Sequence, residues 1–282
     1  MKSQTQHSIE LMCRVLEVSR SGFYEWRSRP VPVKVERTDL KNQILEAFKI
    51  SRKTYGHRSI RDGLIKTGVP IGRRLTLKLM NEMALVPGAY KRSPYAIIKK
   101  ASQPKVCGHL LERNFSPSAQ NKVWTGDITY IWTQNGWAYL AVVLDLFARK
   151  IVGWSVSNKS DTHLVIAALN QALDTRKYIR GELMFHSDQG CQYSSNEFCI
   201  YLRDRGIVQS MSRRGQCWDN APTESFFRTM KGETGLRKAH LPGVAEVEAV
   251  LFDWIETWYN LKRRHTFNNY CSPAEYEARW AV

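Results

Sequence analysis

Three carboxylates in this chain are placed where they could hold a hard divalent cation. Asp188 closes a short apolar run within HSDQGCQYSS, and Glu224 stands near the start of an amphipathic run within CWDNAPTESFFRTMKGE, with thirty-five residues between them. Asp127 lies upstream in the β-like run VWTGDITYIWT. Carboxylate oxygens suit Mg²⁺ or Mn²⁺, and a pair of such ions can clamp the attacking and leaving oxygens of an in-line displacement. In a strongly basic chain, the chemistry expected of such a set is metal-dependent attack on a phosphodiester. That chemistry needs no covalent enzyme intermediate, so no Ser or Tyr nucleophile is sought.

Other residues compete for roles around this set. Asp145 in VLDLFARK is expected to pair with Arg149 or to cap a strand turn, and Asp219 in CWDNAP to cap the helix that carries Glu224. His186 precedes Asp188 by two, which on a strand puts both side chains on one face. It could orient a carboxylate, touch nucleic acid or be a satisfied core histidine. Arg213, Arg214 and Lys231 are candidates for holding phosphates near a scissile bond. Trp124, Trp132, Trp137 and Trp154 are expected to be sheet core.

The elements that must position these groups begin at about residue 122. KVWTGDITYIWT, GWAYLAVVLDLF and RKIVGWSVS are rich in Val, Ile, Tyr and Trp and predict three consecutive strands, with Gln134-Asn135-Gly136 supplying a turn. DTHLVIAALNQALDTR has helical spacing behind an Asp, and GELMFHSD is a short strand ending in Asp188. SNEFCIYLRDRG is a helix closed by Gly206, and IVQSMS is a fifth strand. From Asn220 the chain turns helical with Pro222 in the first turn, and VAEVEAVLFDWIETWYNLKRRH predicts a further long helix. Three strands, helix, strand, helix, strand, helix is the α/β plan of a ribonuclease H-like fold: a mixed five-stranded sheet flanked by helices. There the first and fourth strands are neighbours and the late helix crosses their ends. Asp127, Asp188 and Glu224 then converge.

Before residue 122 the pattern is helical and basic. IELMCRVLE and SGFYEWRSR predict two short helices, LKNQILEAFKIS a third, and HRSIRDGLIKT and GRRLTLKLMNEMA a pair separated by a turn of helix-turn-helix length. Arg73, Arg74 and Lys78 then open the second helix of the pair, where a major-groove reader places its contacts. The formal net charge is +16, and residues 1–122 hold 24 Lys+Arg against 9 Asp+Glu, so almost all the excess lies in this part. A polyanionic partner is implied, and nucleic acid leads. The expected organisation is a helix-turn-helix-like region over 1–86, a basic linker over 87–119 and a catalytic core over 120–282. No apolar run reaches the roughly 18–20 residues that span a bilayer, and the N-terminus lacks signal-peptide features. No membrane role and a cytoplasmic location, nucleoid-associated when DNA-bound, are expected. The six cysteines are scattered without a CxxC pair, which argues against a zinc module or a disulfide framework.

The strings DITYI, GWAYLAVVLDLFARKIVGW, HSDQGCQYSS, SMSRRGQCWDNAPTESFF and SPAEYE, with SRSGFYEW and YGHRSIRDGL upstream, resemble the second reading-frame (OrfB) products of insertion-sequence-3 family bacterial transposases, whose catalytic domain is similar to retroviral integrases. The resemblance covers roughly residues 10–280. It implies that Asp127, Asp188 and Glu224 are the catalytic Asp, Asp, Glu triad, with Lys231 at the family's basic position seven residues after the Glu. It also implies metal-dependent cleavage of element ends and strand transfer to a target, by one-ended excision through a circular intermediate. The implied partners are element-end and target DNA, further copies of the chain, and an upstream OrfA product or OrfAB fusion that carries its own DNA-binding segment. Two other readings stay open: a ribonuclease H-like structure-specific nuclease without strand transfer, and a catalytically silent DNA-binding regulator derived from a transposase.

Overall fold

Strong alternation of β-branched and aromatic residues after residue 122 builds a sheet in the computed structural model, which describes residues 8–28, 37–88, 107–213, 216–237 and 241–280. The chain groups into two units, residues 1–43 and 44–282. The first holds helices α1 (Ile9–Val15) and α2 (Arg20–Ser28) and ends inside α3 (Arg37–Ile50). Ser8 caps α1 by accepting from the Leu11 amide at 3.2 Å, and Ser19 accepts from the Gly22 amide at 3.0 Å.

The second unit adds α4 (His57–Lys66) and α5 (Arg73–Glu82), then β1 (Val123–Thr133), β2 (Gly136–Asp145) and β3 (Lys150–Ser157). Helix α6 (Thr162–Thr175), β4 (Met184–Ser187), α7 (Asn196–Asp204), β5 (Val208–Met211), α8 (Ala221–Glu233), α9 (Val244–Phe252) and α10 (Pro273–Ala278) follow. The strand order is β3-β2-β1-β4-β5. β1–β2 and β2–β3 are antiparallel, whereas β1–β4 and β4–β5 are parallel. This is the ribonuclease H-like plan read from the sequence. The helix expected from Val244 onward departs from it midway: after α9 the residues Asp253–Tyr259 wind as a π-helix, which puts Trp254, Ile255, Trp258 and Tyr259 together in the core. No helix of the described residues is long and apolar enough to cross a membrane.

Each face of the sheet carries its own apolar layer. On one, Ile131, Leu140, Val142 and Leu144 pack with Phe226, Phe227 and Met230 of α8 and with Val247 and Leu251 of α9. On the other, Ala141 and Val143 pack with Leu164, Ala168 and Leu169 of α6 and with Phe198 and Leu202 of α7. Each large side chain so buried is worth about 1.5–3 kcal/mol, which clamps α8 to the strand that carries Asp127. The helix-turn-helix-like pair is bolted to the other end of the chain by polar contacts. Arg264 Nη1 reaches Asp62 at 3.1 Å, Lys66 Nζ donates to the Tyr270 carbonyl at 3.1 Å, and the Arg264 amide donates to the Tyr55 hydroxyl at 2.7 Å.

Candidate active site

One hydrogen-bonded ladder sets the relative positions of Asp127 and Asp188. The parallel register of β1 with β4 pairs Thr125 with His186 and Gly126 with Ser187. The next residue on each strand is therefore an aspartate, and neighbouring strands lie about 4.8 Å apart. Gly126 makes the close pairing possible: a Cβ there would stand 2.4 Å from the Phe185 ring. Gly190 does the same for the turn after β4, where a Cβ would fall 2.7 Å from Asp188 Oδ1. That oxygen instead accepts from the Gly190 amide at 2.8 Å, and Asp127 Oδ1 accepts from the Ile128 amide at 2.8 Å.

Glu224 is brought in by the first turn of α8, which is fastened to β1 around Gly126. Asn220 Nδ2 donates to the Gly126 carbonyl at 3.3 Å. The Thr223 hydroxyl donates to Asn220 Oδ1 at 2.9 Å, which leaves Thr125 as donor in the buried 2.7 Å contact between the Thr125 and Thr223 hydroxyls. Glu224 follows Thr223 directly and is half-buried. Beneath the two aspartates lies Tyr193, fully enclosed. Burial raises its hydroxyl pKa well above the ordinary value, and the charges of Asp127 and Asp188 push it the same way. Both carboxylates thus act on this one phenol. Sequence reasoning missed Tyr193, although it lies in the quoted string HSDQGCQYSS.

A second polar cluster supports the site from behind. Asp219 is wholly buried and accepts from the Arg213 amide at 3.0 Å, from Arg213 Nε and Nη2 at 3.1 Å each, and from Arg113 Nε at 2.7 Å. The Arg213 bonds, helped by Arg113, hold its carboxyl far below the usual range despite burial. Asp219 was expected to cap α8. The residue at that cap is Asn220, with no side-chain cap bond, and Asp219 instead locks the strand–helix connection in place. Asp145 does cap the turn after β2, accepting from the Phe147 amide at 3.0 Å, but its cationic partner is Arg176 at 3.2 Å rather than Arg149. The Arg149 side chain turns to the Phe115 carbonyl at 2.9 Å. His186 is the satisfied core histidine, between the Ser210 and Ser212 hydroxyls at 2.9 and 3.1 Å, and burial lowers its pKa to about 4.

Of the candidate phosphate contacts, Arg213 holds Asp219. Lys231 donates to the Tyr130 carbonyl at 2.6 Å, and burial pushes its ammonium down to about 8. Arg214 lies outside the described residues. Arg73, Arg74 and Lys78 sit apart on the exposed face of α5, opposite the buried Thr76, Leu79 and Met80. Trp124 and Trp154 are core, as expected, whereas Trp132 and Trp137 are 48% and 45% exposed.

Two integrase core domain models match residues 117–217 and 205–273, and an HTH-like domain model matches residues 35–93. Transposase InsF for insertion sequence IS3A of Escherichia coli (strain K12) is 36% identical over 280 residues, spanning 98% of this chain and 96% of the relative. The chain belongs to the IS3 family of transposases. A 31 kDa protein of insertion element IS600 from Shigella sonnei is also 36% identical to this transposase, over 95% of the chain and 98% of that protein. Among solved structures, the HTLV-2 integrase catalytic core domain in complex with magnesium (dimeric form) gives a TM-score of 0.43 at 18% identity, covering 57% of the transposase and 98% of that chain. A simian T-cell lymphotropic virus intasome chain gives 0.47 at 17%, covering 77% and 70%.

Proposed function

We propose that Asp127, Asp188 and Glu224 are the reacting centre of this DDE-type transposase and that they hold Mg²⁺ or Mn²⁺ as a pair of ions. The donor set consists of hard carboxylate oxygens, with Asp127 within β1 and Asp188 just past the end of the neighbouring parallel strand β4. Among the described residues no three His, Cys, Asp or Glu side chains stand close enough to close a metal cage. The backbone placement and donor chemistry fit such ions, and the charge of the ions would offset repulsion between the carboxylates. The observation that carries the reading is the bolt between the Thr125 and Thr223 hydroxyls at 2.7 Å, which fixes the residue before Glu224 two positions from Asp127.

When bound, the ions lower the pKa of the attacking water or 3′-hydroxyl and neutralise charge on the phosphorus. The protein's own part is orientation. The Asn220–Gly126 bond and the Thr pair fix the helix that carries Glu224, the Gly190 amide aims Asp188, and the apolar layers around Tyr193 keep the floor of the site dry. Arg73, Arg74 and Lys78 contact the DNA through α5, and Arg213 and Lys231 line the approach to the carboxylates. Two element ends must be joined, which calls for more than one copy of the chain, and an upstream OrfA product supplies further end recognition.

Labelled element-end DNA with Mg²⁺ tests the reading. Glu224→Gln is expected to bind the DNA as the wild type does and to yield neither cleaved nor joined product. Near-normal joining by that variant sinks the assignment. Cleavage without joining by the wild type points to the nuclease, and binding with neither product, even with the upstream partner present, points to the silent regulator.

A further inference from the structure

The β1–β2 hairpin ends in an aromatic surface that the reaction described above does not use. Trp132 and Trp137 are direct cross-strand partners with ring centroids 4.7 Å apart, and Tyr130 meets Trp137 edge-on at 5.2 Å. All three are about half exposed, and none belongs to either core layer. The tip beyond them is fixed, since the Gln134 amide donates to the Leu241 carbonyl at 2.8 Å and the Asn135 amide to the Pro242 carbonyl at 3.1 Å. The rings are therefore held in place before anything binds.

Their position relative to the carboxylates follows from two parallel measures. Asp127 and Tyr130 are three residues apart on β1, about 10 Å. Glu224 and Lys231 are two turns apart on one face of α8, again about 10 Å. Strand and helix are tied near the carboxylates by the Thr pair and at the far end by Lys231. Its ammonium donates to the Tyr130 carbonyl at 2.6 Å and lies 5.0 Å from the ring centroid. Trp132 follows about 16 Å from Asp127. Alternation along β1 puts Asp127 on the face of Ile131 and the rings on the opposite face, so a strand leaving the carboxylates reaches them by crossing the edge of β1 beyond its pairing with β4, which ends at Gly126. Lys231 stands at that crossing, before the three rings.

We infer that Tyr130, Trp132 and Trp137 form a stacking platform for unpaired bases of the DNA strand that leaves the carboxylate site, with Lys231 beside the adjoining phosphate. Aromatic faces next to a cation are the chemistry that holds single-stranded nucleic acid without regard to sequence. A second copy of the chain is a poorer occupant. Three half-exposed rings offer on the order of 300 Å², well short of the roughly 800 Å² per partner of a stable interface. The inference rests on the proposed role of Asp127, Asp188 and Glu224.

The test uses the full chain with two probes: a duplex bearing a thymidine flank that contains 2-aminopurine, and the same duplex blunt. Trp132→Leu and Trp137→Leu are expected to bind the flanked duplex about five- to hundredfold more weakly, the range for losing a base stack. Blunt-duplex binding stays unchanged. The slope of affinity against salt also stays unchanged, because no charge is removed. Trp132→Phe recovers most of the loss, and the wild type alters the 2-aminopurine emission where the Leu variants do not. Equal weakening of both probes, or of neither, overturns the platform. So does a loss of self-association as the only change. Should a Leu variant fail to fold, an unchanged 2-aminopurine emission on wild-type binding is itself decisive against the platform. Cleavage that persists in Glu224→Gln sinks the reading beneath the inference. Triad-dependent cleavage with wild-type flank binding by the Leu variants sinks the platform alone.

Discussion

Positive charge is used in two different ways in this molecule. On α5, Arg73, Arg74 and Lys78 stand exposed over a buried seam of Thr76, Leu79 and Met80, with Arg73 making one long contact of 3.4 Å to His57. Around the carboxylates each described cation of the proposed approach is already engaged: Arg213 on Asp219, and Lys231 on Tyr130. Solvated cations give long-range attraction that salt weakens. Anchored ones give little extra attraction but fix the geometry on which displacement chemistry depends. The difference assigns affinity to the helical segment and precision to the sheet.

Changes at the carboxylates break this comparison most sharply. Asp127→Asn or Asp188→Asn is expected to lower cleavage on the order of a thousandfold while DNA affinity, measured by mobility shift, stays near the wild-type value. Asp219→Asn comes next, because it unlocks the connection that places Glu224. Cleavage should fall about tenfold to a hundredfold, as for other groups that orient a metal ligand, with a thermal midpoint lowered by several degrees. Since Asp219 is held ionised far below the unfolded carboxylate value, its contribution to stability is whole above that value and disappears as pH drops through the native one. Melting across the acid range checks this.

The double change Arg73→Ala, Arg74→Ala should act in the opposite sense. It should weaken binding about tenfold and reduce the salt slope by about two, with the rate of cleavage at saturating DNA unaltered. A changed rate with an unchanged slope would erase the distinction between the regions. The smallest effect expected is at Lys231. With its pKa near 8, its proton leaves as pH rises through that value, so DNA binding should weaken a few-fold between about pH 7 and 9. Lys231→Arg should hold its affinity across the same range. The fold itself should gain stability over the window from about 8 up to the unfolded lysine value, because there the unfolded chain binds the extra proton.

The sheet was legible because its strands obey a period of two and its turns carry their own residues. Val123–Thr133 and Gly136–Asp145 are visible in the alternation, and Gln134-Asn135 supplies the turn between them. The adjacency of β1 and β4, the strands that lead to Asp127 and Asp188, was legible from the strand order. What stayed hidden depends on which neighbours arrive from afar. Alternation tells that Trp132 faces away from Ile131, but not that the covering layer of α6 and α7 includes Trp124 and leaves out Trp132. The partner of Asp145 lies thirty-one residues away on Arg176, so the nearby Arg149 misled. Asp219 could not be told from a helix cap, because Arg113 reaches it from a segment with no periodicity of its own. The π-helical turn after Phe252 leaves no mark in an apolar pattern that a straight helix would satisfy equally well.

The contacts that fasten α4 to the end of the chain have a consequence for how an element end is measured. Asp62 and Lys66 grip Arg264 and the Tyr270 carbonyl, while Tyr55 holds the main chain at Arg264. On the proposed reading, α5 touches the DNA and packs on α4, so the helix pair is clamped to the body that cuts, and the interval between the base pairs it touches and the phosphate that is broken becomes a fixed length. Such a protein works as a caliper. Its natural substrates would share a constant spacing between recognised sequence and cut, and would tolerate substitutions within that spacer far better than a change in its length.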